Sequence, residues 1–176
     1  MVDNWITSNT WSFGTPEKRR FEAVLDCLLG DSVLSLGCRD GTFELRAAQE
    51  NPNWRVVGID TDASAITWAN EQAVKMGIEN VVFHTMDLFD APNLGTFQTV
   101  VVMEVLEHLP PNRIDEAFNL ALGMANKRLI ITTPANTHIS DEDHKSVFFR
   151  EQFHGKPNLT WIPTMPWLWL GFYIQK

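Results

Sequence analysis

The chain has 176 residues, 44% of them hydrophobic, which suits a single domain over 1–176 with a continuous core. Lys and Arg number 14 against 22 Asp and Glu, and the resulting net charge of −8 excludes a globally basic surface that would draw the protein to nucleic acid. No apolar run reaches membrane-spanning length and residues 1–13 lack a secretory leader's basic-then-apolar layout, so the expectation is a cytoplasmic protein without membrane contact.

Residues 1–14 precede the first element, and their Trp5, Trp11 and Phe13 either cover a site as a lid or pack back on the domain. Thr15-Pro16 reads as the cap and first position of a helix with Phe21, Val24, Leu25 and Leu28 on one face. Val33-Leu34-Ser35-Leu36 is a short buried-strand pattern that stops at Gly37, and a helix is expected from about Thr42 to Glu50. "WRVVGID" is a second strand, ending at Asp60. The next helix carries Ile66, Ala69 and Ala73 on one face and stops at Gly77. "NVVFHTMD" and "TVVVME" are the third and fourth strands, ending at Asp87 and Glu104. A helix from about Pro111 to Ala125 and a fifth strand, "RLIITT", follow. "LTWIP" and "LWLGFYI" lie too close together for an intervening helix and predict an antiparallel hairpin. Alternation within it turns Trp161, Trp167, Trp169 and Phe172 against the sheet, while "MPWLWLGFY" leaves an apolar patch suited to a homodimer as well as a monomer. Cys27 and Cys38, the two cysteines, read as reduced thiols. The order implies a mainly parallel sheet with helices on both faces, finished by an antiparallel pair.

Ligands of such sheets bind outside the carboxyl ends of the strands, where strand order reverses. Here those ends carry the loop Gly37–Gly41, then Asp60, Asp87 and Glu104. Asp60 stands where an acid accepts from ribose hydroxyls, and Asp87 where one accepts from an adenine amine beside the backbone of Met86 and Leu88. Each acid alone is equally a helix cap or a solvated loop residue. The loop lacks the middle glycine that lets a backbone approach a pyrophosphate, because Arg39 stands there. That argues against NAD or FAD and for S-adenosylmethionine, whose carboxylate tolerates a guanidinium. Arg20, in the helix before the loop, is a second candidate for that carboxylate, whereas Arg19 reads as solvated.

Over nearly the whole chain these residues resemble the class I S-adenosylmethionine-dependent methyltransferases. "SLGCRDG" is similar to the family's acid-x-Gly-x-Gly-x-Gly motif at Gly37 and Gly41, with Ser35 for the acid and Arg39 for the middle glycine. "GIDTD", "TMDLFD" and "VVMEVLEHLPP" resemble the second, third and fourth motifs. The resemblance implies a Rossmann-like α/β fold with a seven-stranded, mostly parallel sheet and an antiparallel terminal hairpin. It implies cofactor contacts at Arg20, Leu36, Gly37, Cys38, Arg39, Gly41, Asp60, Thr61, Met86, Asp87, Leu88, Met103 and Glu104, with Glu104, His108 and His144 as candidate bases.

A narrower resemblance, through "EVLEHLPPNRIDEAF", "LIITTPANT" and "DHKSVFFREQF", is to the small-RNA 3′-terminal 2′-O-methyltransferases. It implies a Mg²⁺ or Mn²⁺ site made by Glu104, Glu107, His108 and His144. Three functions stay open: methyl transfer to an oxygen, nitrogen or carbon nucleophile of a small molecule; metal-assisted methylation of RNA ends; and a non-catalytic cofactor-binding partner subunit. The acidic composition favours the small-molecule acceptor over RNA.

Overall fold

A computed structural model describes residues 16–134, 144–146, 148, 158–162 and 169–176. Trp5, Trp11, Phe13 and Trp167 lie outside the described residues, and with them the lid expectation. Helix α1 (Pro16–Leu25) leads to strand β1 (Ser32–Leu36), α2 (Thr42–Glu50), β2 (Arg55–Asp60), α3 (Ala63–Met76) and β3 (Val81–Thr85). Then come a 3₁₀ segment (Leu88–Leu94), β4 (Phe97–Met103), short 3₁₀ turns at Leu106–His108 and Pro111–Arg113, α4 (Ile114–Met124), β5 (Ala125–Pro134), β6 (Leu159–Trp161) and β7 (Trp169–Gln175).

The seven strands form one sheet in the order β3-β2-β1-β4-β5-β7-β6. β1 to β5 are parallel neighbours, while β7 runs antiparallel to both β5 and β6. The two terminal strands are therefore antiparallel partners as expected, with β7 inserted between β5 and β6. Several expected boundaries move. The third strand ends at Thr85, the register partner of Asp60, with the Met86 N–H closing the ladder on the Asp60 carbonyl at 2.9 Å; β4 runs from Phe97 to Met103 and β5 from Ala125 to Pro134. The expected helix from Pro111 opens as a 3₁₀ turn and becomes α-helical at Ile114.

Both sheet faces are covered, as the period-2 alternation requires. Leu34, Leu36, Val57, Ile59, Val100 and Val102 point to the α4 side, with Ala117, Phe118 and Ala121. Val33, Val101 and Ile130 face Val24 and Cys27 at the end of α1, and Val56 and Phe83 meet Leu45, Ile66 and Ala69 from α2 and α3. Both thiols are buried and unpaired. Strand order reverses at β1, so the crevice between the ends of β1 and β4 is where this topology presents side chains to a ligand.

Two left-handed glycines separate conformational from steric need. A Cβ on Gly41 (φ 71°) would lie 2.5 Å from Phe83 Cε1 and 3.0 Å from Ala69 Cβ, whereas one on Gly77 (φ 67°) meets nothing within 4 Å. Gly77→Ala is expected to cost only the backbone term, about 1 kcal/mol. Gly41→Ala adds overpacking and should cost roughly 2–4 kcal/mol. Denaturant midpoints of the two variants check the ranking; equal losses would overturn it.

Candidate active site

The loop after β1 is built by backbone hydrogen bonds. The N–H groups of Gly37 and Cys38 both donate to the Ile59 carbonyl at 2.9 Å, and the Arg39 N–H donates to Asp60 Oδ2 at 2.8 Å. The Asp62 N–H meets Asp60 Oδ1 at 2.9 Å, so Asp60 is aimed from both sides. Gly37 (φ 78°), Arg39 (φ 50°) and Gly41 (φ 71°) are left-handed. Arg39 thus keeps the backbone conformation of the glycine it replaces, and its side chain is exposed. A Cβ on Gly37 would lie 2.4 Å from Val105 Cγ2, which shows how closely the loop passes the segment after β4. Gly41 precedes α2 without a side chain to cap it; Asp40 Oδ1 accepts from the Thr42 N–H (3.2 Å) and hydroxyl (2.8 Å) instead. Thr61 is exposed at the tip of β2, and Leu36 and Cys38 are buried beneath the loop. Asp87 caps the 3₁₀ segment through the Phe89 N–H at 2.9 Å, while Met86 and Leu88 pack on the core.

Across the crevice, β4 ends at Met103, and Glu104 is left-handed (φ 56°), a conformation costing roughly 1–3 kcal/mol for a residue with a side chain. β5 holds it there: the Glu104 N–H donates to the Thr132 carbonyl at 3.0 Å, and the Thr132 hydroxyl donates to Oε1 at 2.8 Å. Arg20 reaches over from α1 to Glu104 Oε2 at 3.3 Å. Glu107 is buried, with a long 3.4 Å contact from the Thr133 hydroxyl to Oε2 and no hydrogen-bond partner at Oε1 among the described residues. Burial, then the Glu104 charge, pushes its carboxyl up to about 8; Thr133 and Arg20 oppose the shift. His108 and His144 meet edge to face with ring centroids 4.9 Å apart. The Lys145 and Ser146 N–H groups clamp the segment carrying His144 to the Glu107 carbonyl at 2.7 and 3.1 Å.

One ligand atom from each of Glu107, His108 and His144 lies within 4.8 Å of the others. Of the four residues in the expected metal set, Glu104 stands outside this group. Arg20 and Thr132 hold its carboxylate toward α1 and β5. Sequence reasoning missed Thr132 and Thr133, whose adjacency to the acids arises only from sheet pairing. It also missed Glu44, a carboxylate 1% exposed on α2 beside Ser35. The Glu44 carboxyl is raised to about 7 by burial, with the Ser35 hydroxyl opposing.

The methyltransferase domain family matches residues 29–158, well over half of the chain. The chain belongs to the methyltransferase domain family. A ubiquinone biosynthesis O-methyltransferase of Cronobacter sakazakii is 36% identical over 87 residues, 49% of this chain and 35% of that protein, so the match spans about a third of that relative. Among solved structures, magnesium protoporphyrin IX methyltransferase of Synechocystis PCC 6803 with bound SAH superposes with a TM-score of 0.72 at 16% identity, covering 96% of this chain and 90% of that chain. The methyltransferase domain of bacterial CtHen1 gives 0.71 at 17% identity, covering 92% and 100%. These likenesses establish the Rossmann-like class I methyltransferase fold. No helix among the described residues is long and apolar enough to cross a membrane.

Glu44 gives the domain a pH-dependent stability. A carboxyl near 4.5 when unfolded and about 7 when folded binds its proton more tightly in the native state. Its contribution is therefore full below about pH 4.5 and is lost as pH rises toward 7, by on the order of 3 kcal/mol at most. Glu44→Gln should flatten that part of the curve in urea denaturation from pH 4.5 to 8; an unchanged slope would refute the assignment.

Proposed function

We propose that this methyltransferase transfers a methyl group from S-adenosylmethionine to an oxygen, nitrogen or carbon nucleophile of a small molecule seated at the ends of β4 and β5. The observation that supports it is the convergence, on one sheet edge, of a backbone-built loop with an aimed Asp60 and a strained, hydrogen-bonded Glu104. S-adenosylmethionine supplies a sulfonium-bound methyl that needs no further activation. The chain's residues have then to hold and align. Asp60 keeps lone pairs for the ribose hydroxyls while the Arg39 and Asp62 N–H groups fix its rotamer. Asp87, Met86 and Leu88 stand where the adenine edge would lie, and Leu36, Gly37, Cys38, Gly41, Thr61 and Met103 line the remaining wall. Arg39, exposed on the loop, is the better partner for the cofactor carboxylate, because Arg20 is engaged by Glu104.

On the acceptor side Glu107, His108 and His144 form a proton-accepting group. Its outer member, His108, is exposed and its inner one, Glu107, is buried. An acceptor with an ionisable O–H or N–H would lose its proton to the histidines, with Glu107 fixing their surroundings; alignment supplies the rest of the rate. The acidic surface and the likeness to an O-methyltransferase of ubiquinone biosynthesis both support a small acceptor.

A second reading rests on the Glu107, His108 and His144 geometry. One carboxylate and two imidazoles on one side of a cleft form a donor set for Mn²⁺ or a similar ion more than for the oxygen-preferring Mg²⁺. A bound ion would acidify an acceptor hydroxyl, as the resemblance to the RNA 2′-O-methyltransferases implies. The third reading, a non-catalytic cofactor-binding subunit, predicts cofactor affinity without transfer.

Calorimetry tests the cofactor and metal readings, and methyl transfer to a panel of small acceptors separates the first reading from the third. S-adenosylmethionine is expected to bind, and Asp60→Ala to weaken it roughly 10- to 100-fold by removing charge-assisted hydrogen bonds. No binding, or no effect of Asp60→Ala, would sink the cofactor assignment. Mn²⁺ titration decides the metal reading: saturable binding abolished in His108→Ala and His144→Ala supports it, and no heat from wild-type protein removes it.

A further inference from the structure

One residue of the loop region is unused by this mechanism. Glu44 sits in the first turn of α2 with both carboxylate oxygens buried, supported by the Ser35 hydroxyl and with no cation paired to them among the described residues. Burial of an ionisable carboxyl without a cation is expensive, and native structures keep few such groups. Beneath it on the same side of the sheet is Ser35, 1% exposed and paired in register with Gly58 of β2. Gly58 leaves the space into which Cys38 and Phe83 pack; a Cβ there would lie 2.9 Å from Cys38 Sγ. Glu44, Ser35 and Cys38 are thus stacked under the loop that carries Arg39 and Asp40.

The electrostatics are one-sided. Asp40, Glu44 and Asp60 surround the loop, and their charges act together: Glu44 and Asp60 both raise the Cys38 thiol, after burial itself. The loop's own cation, Arg39, is exposed to solvent, where its field is screened. Three carboxylates about one loop, one of them buried beneath it, favour a ligand carrying positive charge. The first motif in this family has an acid at the position that Ser35 occupies here. A carboxylate is still present beneath the loop, on the neighbouring helix.

We propose that Glu44 supplies from α2 the negative charge beneath the Gly37–Gly41 loop, in place of an acid at Ser35, and that this charge selects the cationic sulfonium cofactor over its neutral thioether product. The proposal rests on the S-adenosylmethionine reading above. Glu44 is a positioning residue here: its oxygens are shielded from the crevice, so it acts through its field and through the loop, not by contact. S-adenosylmethionine carries one positive charge more than S-adenosylhomocysteine, so Glu44 in its ionised form, which predominates at pH 8, where the ligands are compared, strengthens binding of the first more than the second.

The test is calorimetry of both ligands on the full chain at pH 8, with thermal denaturation at the same pH as the fold control. Glu44→Gln keeps volume and shape. It should weaken S-adenosylmethionine about tenfold and S-adenosylhomocysteine by less than about threefold, without lowering the melting temperature. Ser35→Asp alone places two acids side by side and should melt earlier. The double variant S35D/E44Q moves the charge to β1 and should recover S-adenosylmethionine affinity to within about threefold of wild type. A purely structural Glu44 would change both ligands equally, and that result would overturn the proposal. Unchanged affinities in Glu44→Gln, or a folded S35D/E44Q without recovery, would overturn it too. If wild-type protein binds neither ligand, the cofactor reading itself fails and the role of Glu44 falls with it.

Discussion

The site depends on how the chain leaves β1. Two consecutive N–H groups, of Gly37 and Cys38, converge on the Ile59 carbonyl, and the next N–H, of Arg39, goes to the Asp60 carboxylate. Three successive donors bound to the end of one neighbouring strand leave the loop little freedom. They require left-handed backbone at residue 39, which glycine adopts without strain and arginine at a cost of about 1–2 kcal/mol. A hydrogen bond to a charged acceptor contributes about 1.5–3 kcal/mol and offsets that cost. The missing glycine is therefore a tolerated substitution: the bond to Asp60 fixes the conformation, whatever residue occupies the position.

The other half of the site is organised by side chains. Thr132 and Thr133 are adjacent on β5, and each turns a hydroxyl to one of the acids at the end of β4, Glu104 and Glu107. One guanidinium, Arg20, meets Glu104 directly, so Glu104 takes the cation and Glu107 the desolvation. That division pushes the two acids apart in proton affinity. It leaves the inner one as a proton-holding neighbour of the histidine pair, and the backbone clamp from Lys145 and Ser146 fixes that pair's geometry.

Much of this was legible in the sequence where the signal is local. Apolar runs ending in Gly37, Asp60 and Glu104 located the strands and the sheet edge that carries the site. Pairing between elements was not legible. Nothing near Arg20 announces Glu104, 84 positions away in the chain, and nothing in "LIITTP" shows that two of its threonines face acids of the segment that follows β4. The position of β7 is a similar case. A hairpin was visible in the alternation of its tail, but its longer strand pairs with β5 across seven positions, from Arg128–Gln175 to Pro134–Trp169. The shorter β6, with three pairs, is left at the edge. Glu44 was hidden because an acid in the first turn of a helix ordinarily serves the helix dipole from solvent. Its burial follows from Gly41, which draws α2 down onto Phe83.

The two buried acids share a feature that local pattern cannot show. Each has a hydroxyl from the adjoining strand beside it, Ser35 for Glu44 and Thr133 for Glu107, in place of a cation of its own. A cation would fix a carboxylate in its charged form. A hydroxyl donates to a carboxylate and accepts from a carboxylic acid, so it accommodates both protonation states without moving heavy atoms. Both acids accordingly sit well above the ordinary carboxylate range, close to neutrality. A basic residue in place of either hydroxyl would commit its acid to permanent charge, but at positions 1% and 0% exposed it would also have to bury a second charge and a larger side chain. The protein instead carries the desolvation cost at two places, one under the loop and one under the histidines. Both lie beneath the sheet edge where a positively charged methyl donor and a proton-bearing acceptor would meet, and there a carboxyl that can answer an approaching charge acts on the ligand as well as on the fold.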